Sequence, residues 1–334
     1  MTEQSNGTGR VLVADIGGTR ARFGIVDSEG RLEGAEVFRA ADYPTLIEAA
    51  SDYLRGIEPE NRPRRGAIAV ACPILGDRVQ MTNHPWSFSI EETCSALELR
   101  TLEVVNDFIA LALALPVLRE EHTRLIKPGK RESTAPLALL GPGTGLGVSA
   151  LIPVAQGWIA LPTEGGHRDL AASSDREWRI IERLKERFGH VSAERALSGP
   201  GLVNLYSAIC EVDGRYFEER DPQAVASRAA SGTCAASGEA ARMFSRQLGA
   251  VAGDLALTIG ARGGVFLGGG VLVAMGAAFS HELFLEGFVG KGRFRGYLEP
   301  VPVRLVLHPT AALLGAARAL EYDFSAGFRA STDD

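Results

Sequence analysis

The sequence predicts an α/β protein with mixed sheets, and three observations support that prediction. A short meander opens the chain, because glycine-containing turns separate the apolar segments Val11–Asp15, Ala21–Asp27 and Leu32–Arg39. The segment Ala67–Cys72 is a continuous apolar run, as expected of a strand buried on both faces. Between these strands, Pro44–Arg55 has helical spacing of apolar residues and a proline in its first turn.

The same alternation continues to the middle of the chain. The next predicted elements are a strand at Arg78–Thr82, a helix at Ile90–Leu99, a strand at Leu102–Val105 and a helix at Phe108–Leu115. The last of these strands ends at Asn106-Asp107, and the last helix stops at Pro116. In α/β folds, ligand-binding groups gather at the carboxyl ends of strands.

The charged stretch Arg119–Ala135 contains Pro128 and Gly129, and we interpret it as a connection between domains. Beyond it the sequence predicts strands at Leu137–Leu140, Val148–Val154, Gly264–Leu267 and Pro302–Leu307. The predicted helices are Asp175–Phe188, Gly201–Cys210, Pro222–Ala230, Gly238–Arg262 and Pro309–Leu320. Each half of the chain therefore begins with strands around a glycine turn and continues with helices.

Composition indicates a globular protein and disfavours several classes of partner. The chain has 334 residues, which is long enough for two domains. It is 46% hydrophobic and 23% charged, as is typical of a globular protein. A net charge of −6 disfavours nucleic acid, and the longest apolar stretch, Phe108–Leu118, is too short to span a membrane. Without an apolar signal region or a Cys-x-x-Cys pair among the four cysteines, we expect a cytoplasmic protein.

Two glycine-rich turns are the most informative motifs. Asp15-Ile16-Gly17-Gly18-Thr19 and Gly141-Pro142-Gly143-Thr144-Gly145-Leu146-Gly147 each lie between two apolar runs, which indicates strand, turn and strand. Glycines let the backbone approach a ligand and direct N–H groups at an anion, so the pair suggests two clamps on a polyphosphate. The alternative is that both are ordinary tight hairpin turns.

The single-motif phosphate binders do not match. A nucleotide P-loop needs Gly-Lys followed by Ser or Thr, but Gly129-Lys130 and Gly290-Lys291 are followed by Arg131 and Gly292. A dinucleotide fingerprint opens a helix, whereas Gly143–Gly147 has different spacing and enters a strand.

Polar residues at loops and strand ends are the candidates for chemistry. Asp107 follows a buried strand, and it is either a helix N-cap or a general base aimed at a hydroxyl. Glu164-Gly165-Gly166-His167 is a loop whose carboxylate and imidazole suit the hydroxyls of a polyol, unless it is a polar surface turn. No third ligand supports a zinc site there. Trp86, in Asn83-His84-Pro85-Trp86, is either a hydrophobic plug or a wall facing a sugar.

Taken together, these residues resemble those of the bacterial glucokinases, the non-repressor branch of the sugar kinases with an actin-like ATPase fold. The matching segments occur in the family's order and cover about residues 10–322. They are Asp15–Thr19, Asn83–Trp86, Asn106-Asp107, Gly143–Gly147, Glu164–His167, Glu194 with Ser198–Gly201, and Gly268–Gly270. One such motif alone is weak evidence, whereas the full ordered set is strong.

The resemblance assigns roles to these residues. Asp107 is the implied catalytic base, and Asn106, Glu164, His167 and Glu194 are implied to hold the sugar hydroxyls. The implied phosphate and nucleotide ligands are Gly17, Gly18, Thr19, Gly143, Thr144, Gly145, Gly268, Gly269 and Gly270, while Asp15 is expected to reach Mg²⁺ through water. Arg168-Asp169-Leu170 stands where the repressor-type kinases carry a cysteine-rich zinc motif, so we do not expect zinc.

The resemblance also implies a fold and a reaction. The expected fold is the two-lobed, actin-like (ribonuclease H-like) ATPase fold, with mixed sheets around a cleft. A small lobe would comprise residues 10–117 with 308–322, and a more helical large lobe residues 118–307. The expected reaction is ATP-dependent, Mg²⁺-dependent phosphorylation of glucose at its 6-hydroxyl. A kinase for mannose, fructose or an N-acetylated sugar stays open, as do a non-catalytic sugar-binding regulator, another phosphate donor and a homodimer.

Overall fold

A computed structural model describes residues 9–217, 220–321 and 328–332. The described residues form two compact units. The first contains those of Met1–Arg119, Val154–Pro162 and His308–Asp334, and the second those of Glu120–Pro153 and Thr163–Leu307. The first unit therefore takes a short segment from the middle of the chain and another from its end.

The strands of the described residues, in chain order, are β1 Val11–Ile16, β2 Arg20–Val26, β3 Leu32–Arg39, β4 Arg65–Val70, β5 Arg78–Gln80, β6 Ser87–Ser89, β7 Thr101–Asn106, β8 Thr123–Lys127, β9 Leu137–Pro142, β10 Leu146–Val154, β11 Gly157–Pro162, β12 Gly264–Leu267, β13 Val303–Val306 and β14 Phe328–Ser331.

The α-helices of the same residues are α1 Leu46–Arg55, α2 Ile90–Ala96, α3 Asp107–Ala114, α4 Asp175–Phe188, α5 Gly199–Val212, α6 Pro222–Ala230, α7 Ala235–Ile259, α8 Gly270–Met275, α9 His281–Val289, α10 Arg295–Leu298 and α11 Ala311–Ala319. No single described helix is long and apolar enough to span a membrane. The two segments Gly270–Ala278 and His281–Val289 together have the length and composition of a span, but they are bent by 115° relative to each other.

The sheet of the first unit has the strand order β14-β7-β4-β1-β2-β3. Strands β1, β4 and β7 are parallel, whereas β2, β3 and β14 extend the sheet in antiparallel fashion. In this register Ile16 pairs with Val70, and Val70 pairs with Asn106. The carboxyl ends of the three parallel strands therefore lie side by side, and the polar residues Asp15 and Asn106 are both at that edge.

In the second unit the strands follow the order β10-β9-β12-β13-β8. Strands β9 and β10 form an antiparallel hairpin around the second glycine turn, and β12 is parallel to both β9 and β13. The prediction of mixed sheets is confirmed in both units. The interpretation of Arg119–Ala135 as a connection is wrong in part, because β8 pairs antiparallel with β13. Two positively charged residues, Arg124 and Lys127, hide this strand's pattern, and a partner far along the chain forms it.

Each unit has its own hydrophobic core. In the first unit, helix α11 packs on α3, β1 and β4. The approach of α11 to α3 is close enough that a Cβ at Gly315 would lie 1.6 Å from the carbonyl oxygen of Ala110. Since α3 begins with Asp107, this contact fixes the helix that carries the proposed base.

Candidate active site

Asn106 and Asp107 mark the junction between strand β7 and helix α3. Asn106 is the N-cap, since its Oδ1 accepts a hydrogen bond of 2.9 Å from the N–H of Phe108. Its Nδ2 donates to the carbonyl oxygen of Cys72 at 3.4 Å. The sequence left open whether Asp107 caps this helix; the structure gives the cap to Asn106 and places Asp107 at the first helical position.

Asp107 has an unusual environment for a carboxyl group. Burial, and after it the negative charge of Asp15, raises the pKa of Asp107 to about 7. Hydrogen bonds from backbone N–H groups and from Asn106 oppose this rise without cancelling it. A carboxyl group with a pKa near neutrality can exchange a proton under physiological conditions, which is the property that a general base requires.

Asp15 faces a cation on the neighbouring strand. Arg22 pairs with Asp15 across β1 and β2, and its Nη1 is 3.3 Å from Asp15 Oδ2. The same Nη1 donates to the carbonyl oxygen of Pro309 at 2.8 Å. Burial raises the pKa of Asp15, and the charge of Arg22 counteracts this rise. Arg22 therefore links Asp15 to the segment that leads into α11.

The first glycine turn packs on the loop that contains Asn83. A Cβ at Gly18 would lie 2.8 Å from the carbonyl oxygen of Asn83. Gly17 donates its N–H to Arg20 at 2.9 Å, and Thr19 is exposed. Nearby, Trp86 is only 3% exposed and donates its Nε1 to a backbone oxygen, so it is a hydrophobic plug rather than a wall of a pocket.

The second glycine turn is closed by its own backbone and by two neighbouring segments. Gly143 donates to Gly145 at 2.8 Å, and its carbonyl accepts from Gly199 at 2.8 Å. Thr144 is exposed, as Thr19 is in the first turn. The Gly268–Gly270 segment packs beside this turn, because a Cβ at Gly269 would lie 2.3 Å from the Pro142 carbonyl. Gly269 also has a φ of +81°, so glycine is required there twice over.

Three predicted sugar-binding side chains converge in the second unit. His167 Nε2 is 3.8 Å from Glu164 Oε2, and His167 Nδ1 is 4.0 Å from Glu194 Oε1. Glu164 and His167 are about 60% exposed, whereas Glu194 is 30% exposed. The arrangement offers two carboxylates that accept hydrogen bonds and, between them, an imidazole that can donate or accept.

Glu194 also touches the second glycine turn. Its Oε2 accepts a hydrogen bond of 2.8 Å from the N–H of Leu146. A Cβ at Gly145 would lie 2.4 Å from that same oxygen. The 3₁₀ turn that carries Glu194 begins after Ser192, whose side chain accepts from Arg195. One carboxylate therefore joins two motifs that the sequence presents as separate.

Arg22 and the Cys72 carbonyl contribute to this site, and neither was predicted from the sequence. Arg22 left a signal, because it is a charged residue between the apolar Ala21 and Phe23, on the strand that follows Asp15 in the predicted hairpin. The Cys72 carbonyl that orients Asn106 left none, since any residue supplies a backbone oxygen. Among the residues that the structure describes, no group of three or more His, Cys, Asp or Glu side chains is arranged to hold a metal ion.

Comparison with known proteins decides the family. The family model for glucokinase matches residues 12–322 of this chain. The chain belongs to the glucokinase family. It is 49% identical to a glucokinase of Paramagnetospirillum magneticum, over 92% of this chain and 96% of the relative. It is 46% identical to a glucokinase of Citrobacter koseri, with the same shares covered.

Solved glucokinase structures share the fold. The crystal structure of a glucokinase from an Antarctic psychrotroph superposes with a TM-score of 0.85 at 38% identity, covering 94% of this chain and 99% of that one. A glucokinase from Balamuthia mandrillaris, solved in complex with glucose, has a TM-score of 0.79 at 20% identity, covering 96% of each chain. The actin-like ATPase fold expected from the resemblance is confirmed.

Proposed function

We propose that Asp107 is the general base of this glucokinase, which uses ATP to phosphorylate glucose at its 6-hydroxyl. The observation that carries this assignment is the position of Asp107. It stands at the carboxyl end of β7 with its pKa raised to about 7, while the neighbouring Asn106 caps helix α3. A carboxylate fixed at a helix start can orient a hydroxyl and accept its proton.

The chemistry of phosphoryl transfer limits what this base has to do. The transition state is loose, so catalysis depends mainly on positioning and on neutralising charge. Asp107 therefore need not ionise the 6-hydroxyl beforehand. It accepts the proton as the bond from the sugar oxygen to the γ-phosphorus forms and the bond from that phosphorus to the leaving ADP oxygen breaks.

We assign the remaining sugar contacts to Asn106 in the first unit and to Glu164, His167 and Glu194 in the second. Hydroxyl groups both donate and accept, and this set offers acceptors on the carboxylates with a donor on the imidazole. The distances of 3.8 and 4.0 Å from the His167 ring nitrogens to the two carboxylates support the assignment, because the three side chains lie close enough together to contact one ligand.

Phosphate binding is assigned to the two glycine turns, Gly17–Thr19 and Gly143–Gly145, and the adenosine to the neighbourhood of Gly268–Gly270. The exposed Thr19 and Thr144 at the two turns support this assignment. Asp15 fits Mg²⁺, because a carboxylate oxygen is a hard ligand and this one stands beside the first turn. Bound there through water, the metal would neutralise phosphate charge.

We propose three further features. They are a division into lobes at residues 10–117 with 308–322 and at residues 118–307, a cytoplasmic location, and assembly as a homodimer. Size-exclusion chromatography with light scattering tests the last of these, since a dimer has twice the 35.5 kDa mass of one chain.

The decisive experiment is a coupled assay of the purified protein with a panel of hexoses, ATP and Mg²⁺. We expect glucose to be the preferred substrate, and Asp107→Ala to lower kcat by about 10²–10⁴ while glucose binding survives in part. Glu91→Ala, an exposed carboxylate on α2, is the control and should leave kcat unchanged. A preference for another hexose would show that the assignment of glucose as substrate is wrong. A kcat near that of the wild type in Asp107→Ala would show that Asp107 is not the general base.

A further inference from the structure

The carboxylate of Glu194 is divided between two motifs. Its Oε1 faces His167 Nδ1 at 4.0 Å, on the side of the proposed sugar site. Its Oε2 accepts the Leu146 N–H at 2.8 Å, immediately after the glycine turn proposed to bind phosphate. A hydrogen bond from a backbone N–H to a charged acceptor is stronger than one between neutral groups, so this contact ties the carboxylate to the turn.

Glycine at position 145 is required by this carboxylate and not by the backbone. Gly145 does not adopt the positive φ that favours glycine, and neither does Gly143 two residues earlier. A Cβ at Gly143 would meet nothing within 4 Å, whereas a Cβ at Gly145 would lie 2.4 Å from Glu194 Oε2. A methyl group at position 145 would therefore displace the Glu194 carboxylate.

The loop that carries Glu164 and His167 rests on the same part of β10. A Cβ at Gly166 would lie 2.1 Å from the carbonyl oxygen of Leu146. Thr163 Oγ1 donates to the carbonyl of Val148 at 2.9 Å. The start of β10 thus contacts Glu194 through the Leu146 N–H and the sugar loop through the Leu146 carbonyl.

The segment after Glu194 returns to the turn as well. Ser198 donates its Oγ to the carbonyl of Glu194 at 2.9 Å, and Gly199 donates its N–H to the carbonyl of Gly143 at 2.8 Å. The Glu194–Gly199 segment is therefore bonded to both sides of the turn, and displacement of one of the two must disturb the other.

We propose that Gly145 and the Leu146 N–H are positioning elements for the sugar, and that Glu194 couples glucose binding to nucleotide binding. The inference rests on the proposed function, because it takes Glu194 as a sugar ligand and the turn as a phosphate ligand. Order imposed on the turn by a phosphate fixes the Glu194 carboxylate in place for the sugar. By linkage, each ligand then strengthens the binding of the other by the same factor.

The first test compares two alanine variants of the same turn by titration calorimetry with glucose and no nucleotide. Gly145→Ala should weaken glucose binding about tenfold or more, the equivalent of losing one charge-assisted hydrogen bond. Gly143→Ala is the matched control, and its glucose affinity should stay within about twofold of wild type. Equal glucose affinities in the two variants would overturn the inference. Failure of the wild type to bind glucose would instead contradict the proposed function.

The reciprocal test measures the affinity for a non-hydrolysable ATP analogue with Mg²⁺ in the absence of sugar, and it does not depend on Gly145→Ala folding. Glu194→Ala should weaken nucleotide binding at least about threefold, because the turn loses its brace. Glu164→Ala is the control, since Glu164 belongs to the same sugar cluster but lacks the bond to Leu146. Equal nucleotide affinities in these two variants would show that Glu194 acts on the sugar alone and would overturn the coupling.

Discussion

Arg22 stands opposite Asp15 across the first two strands, and its guanidinium bonds both to the Asp15 carboxylate and to the carbonyl of Pro309. A single side chain thus connects the proposed magnesium carboxylate with the segment before α11. Removal of one partner of a partly buried ion pair is costly, because the other charge is left desolvated.

Without Arg22 the burial that raises the pKa of Asp15 is unopposed, so the carboxyl is protonated more often and binds Mg²⁺ less well. Replacing Arg22 with Ala should therefore raise the Mg²⁺ concentration needed for half-maximal activity and lower kcat/KM for ATP about tenfold, the equivalent of one pKa unit. Glucose affinity measured without nucleotide should be retained, since no sugar contact changes. Steady-state kinetics across a Mg²⁺ series measure the effect. The control is Arg31→Ala, which breaks the pair of an exposed arginine with Asp27 in the turn between β2 and β3. The idea fails if both variants respond to Mg²⁺ as the wild type does.

The pH dependence of kcat/KM for glucose should show the titration of Asp107. Since burial and Asp15 raise its pKa to about 7, the carboxyl is protonated below that pH and cannot accept a proton. We expect kcat/KM for glucose to fall about tenfold for each pH unit below this point, because that parameter reports the free enzyme. The residual turnover of Asp107→Asn should not show this decrease at acidic pH. An identical decrease in that variant would mean that another group titrates.

The buried carboxyl of Asp107 should also lower the stability of the folded protein when it is ionised. Its folded pKa lies above its ordinary value of 3.8, so its favourable contribution is present below about pH 4 and is lost as the pH rises to about 7. Asp107→Asn should therefore have a higher Tm than wild type at pH 8, by about 2 °C or more, with a smaller difference at pH 5. Thermal unfolding at several pH values measures this, and a Tm difference independent of pH would contradict the buried charge.

The close contact between α11 and α3 predicts a packing-sensitive glycine. Gly315→Ala places a methyl group 1.6 Å from the Ala110 carbonyl, so the helices must move apart at a cost of about 1–3 kcal/mol or more. Chemical denaturation should show the loss, and kcat should fall because α3 carries Asp107. Gly296→Ala, in helix α10 with nothing within 4 Å of the new Cβ, should be neutral or slightly stabilising. Equal stability of the two variants would refute the contact.

Discrimination among sugars should depend on Glu164. Glu164 is about 60% exposed in this structure, and a bound sugar would cover it. An analogue that lacks the matching hydroxyl would then leave the covered carboxylate unpaired, and a site of this kind rejects it. We expect kcat/KM for glucose to exceed that for fructose and galactose by at least about tenfold. Glu164→Ala should reduce this ratio as well as activity. An unchanged ratio in the variant, measured in the same coupled assay, would show that Glu164 does not read the hydroxyl pattern.

Local sequence predicted those parts of the fold that local chemistry controls. Helix α4 at Asp175–Phe188 and helix α6 at Pro222–Ala230 match their predicted bounds, because each has a capping residue immediately before it. Strand β8 was not predicted and β14 was overlooked, since each is short and is formed by pairing with a strand far away in the chain. Pairing of this kind leaves little mark on the sequence of either partner.

The candidate site shows the same division. Glycine turns and the Asn106-Asp107 step are visible in the sequence, because backbone geometry restricts the residues that can stand there. The bond from Leu146 to Glu194 is not, since 48 residues separate them and the donor is a backbone N–H that any residue except proline supplies. The spacing of the motifs gave no indication that the second turn and Glu194 touch.

The order of segments in the first unit has a consequence for biosynthesis. Helix α11 and strand β14 belong to this unit, although the second unit lies almost wholly between them and α3 in the chain. During synthesis, α11 and β14 emerge from the ribosome only after the second unit has been made. Until then, α3 and the edge of β7 stay exposed in the nascent chain. The second unit can complete its core during synthesis, whereas the first can do so only at the end. Nascent chains that stop short of residue 311 would thus expose the apolar faces that α11 covers, and such chains are natural substrates for chaperones.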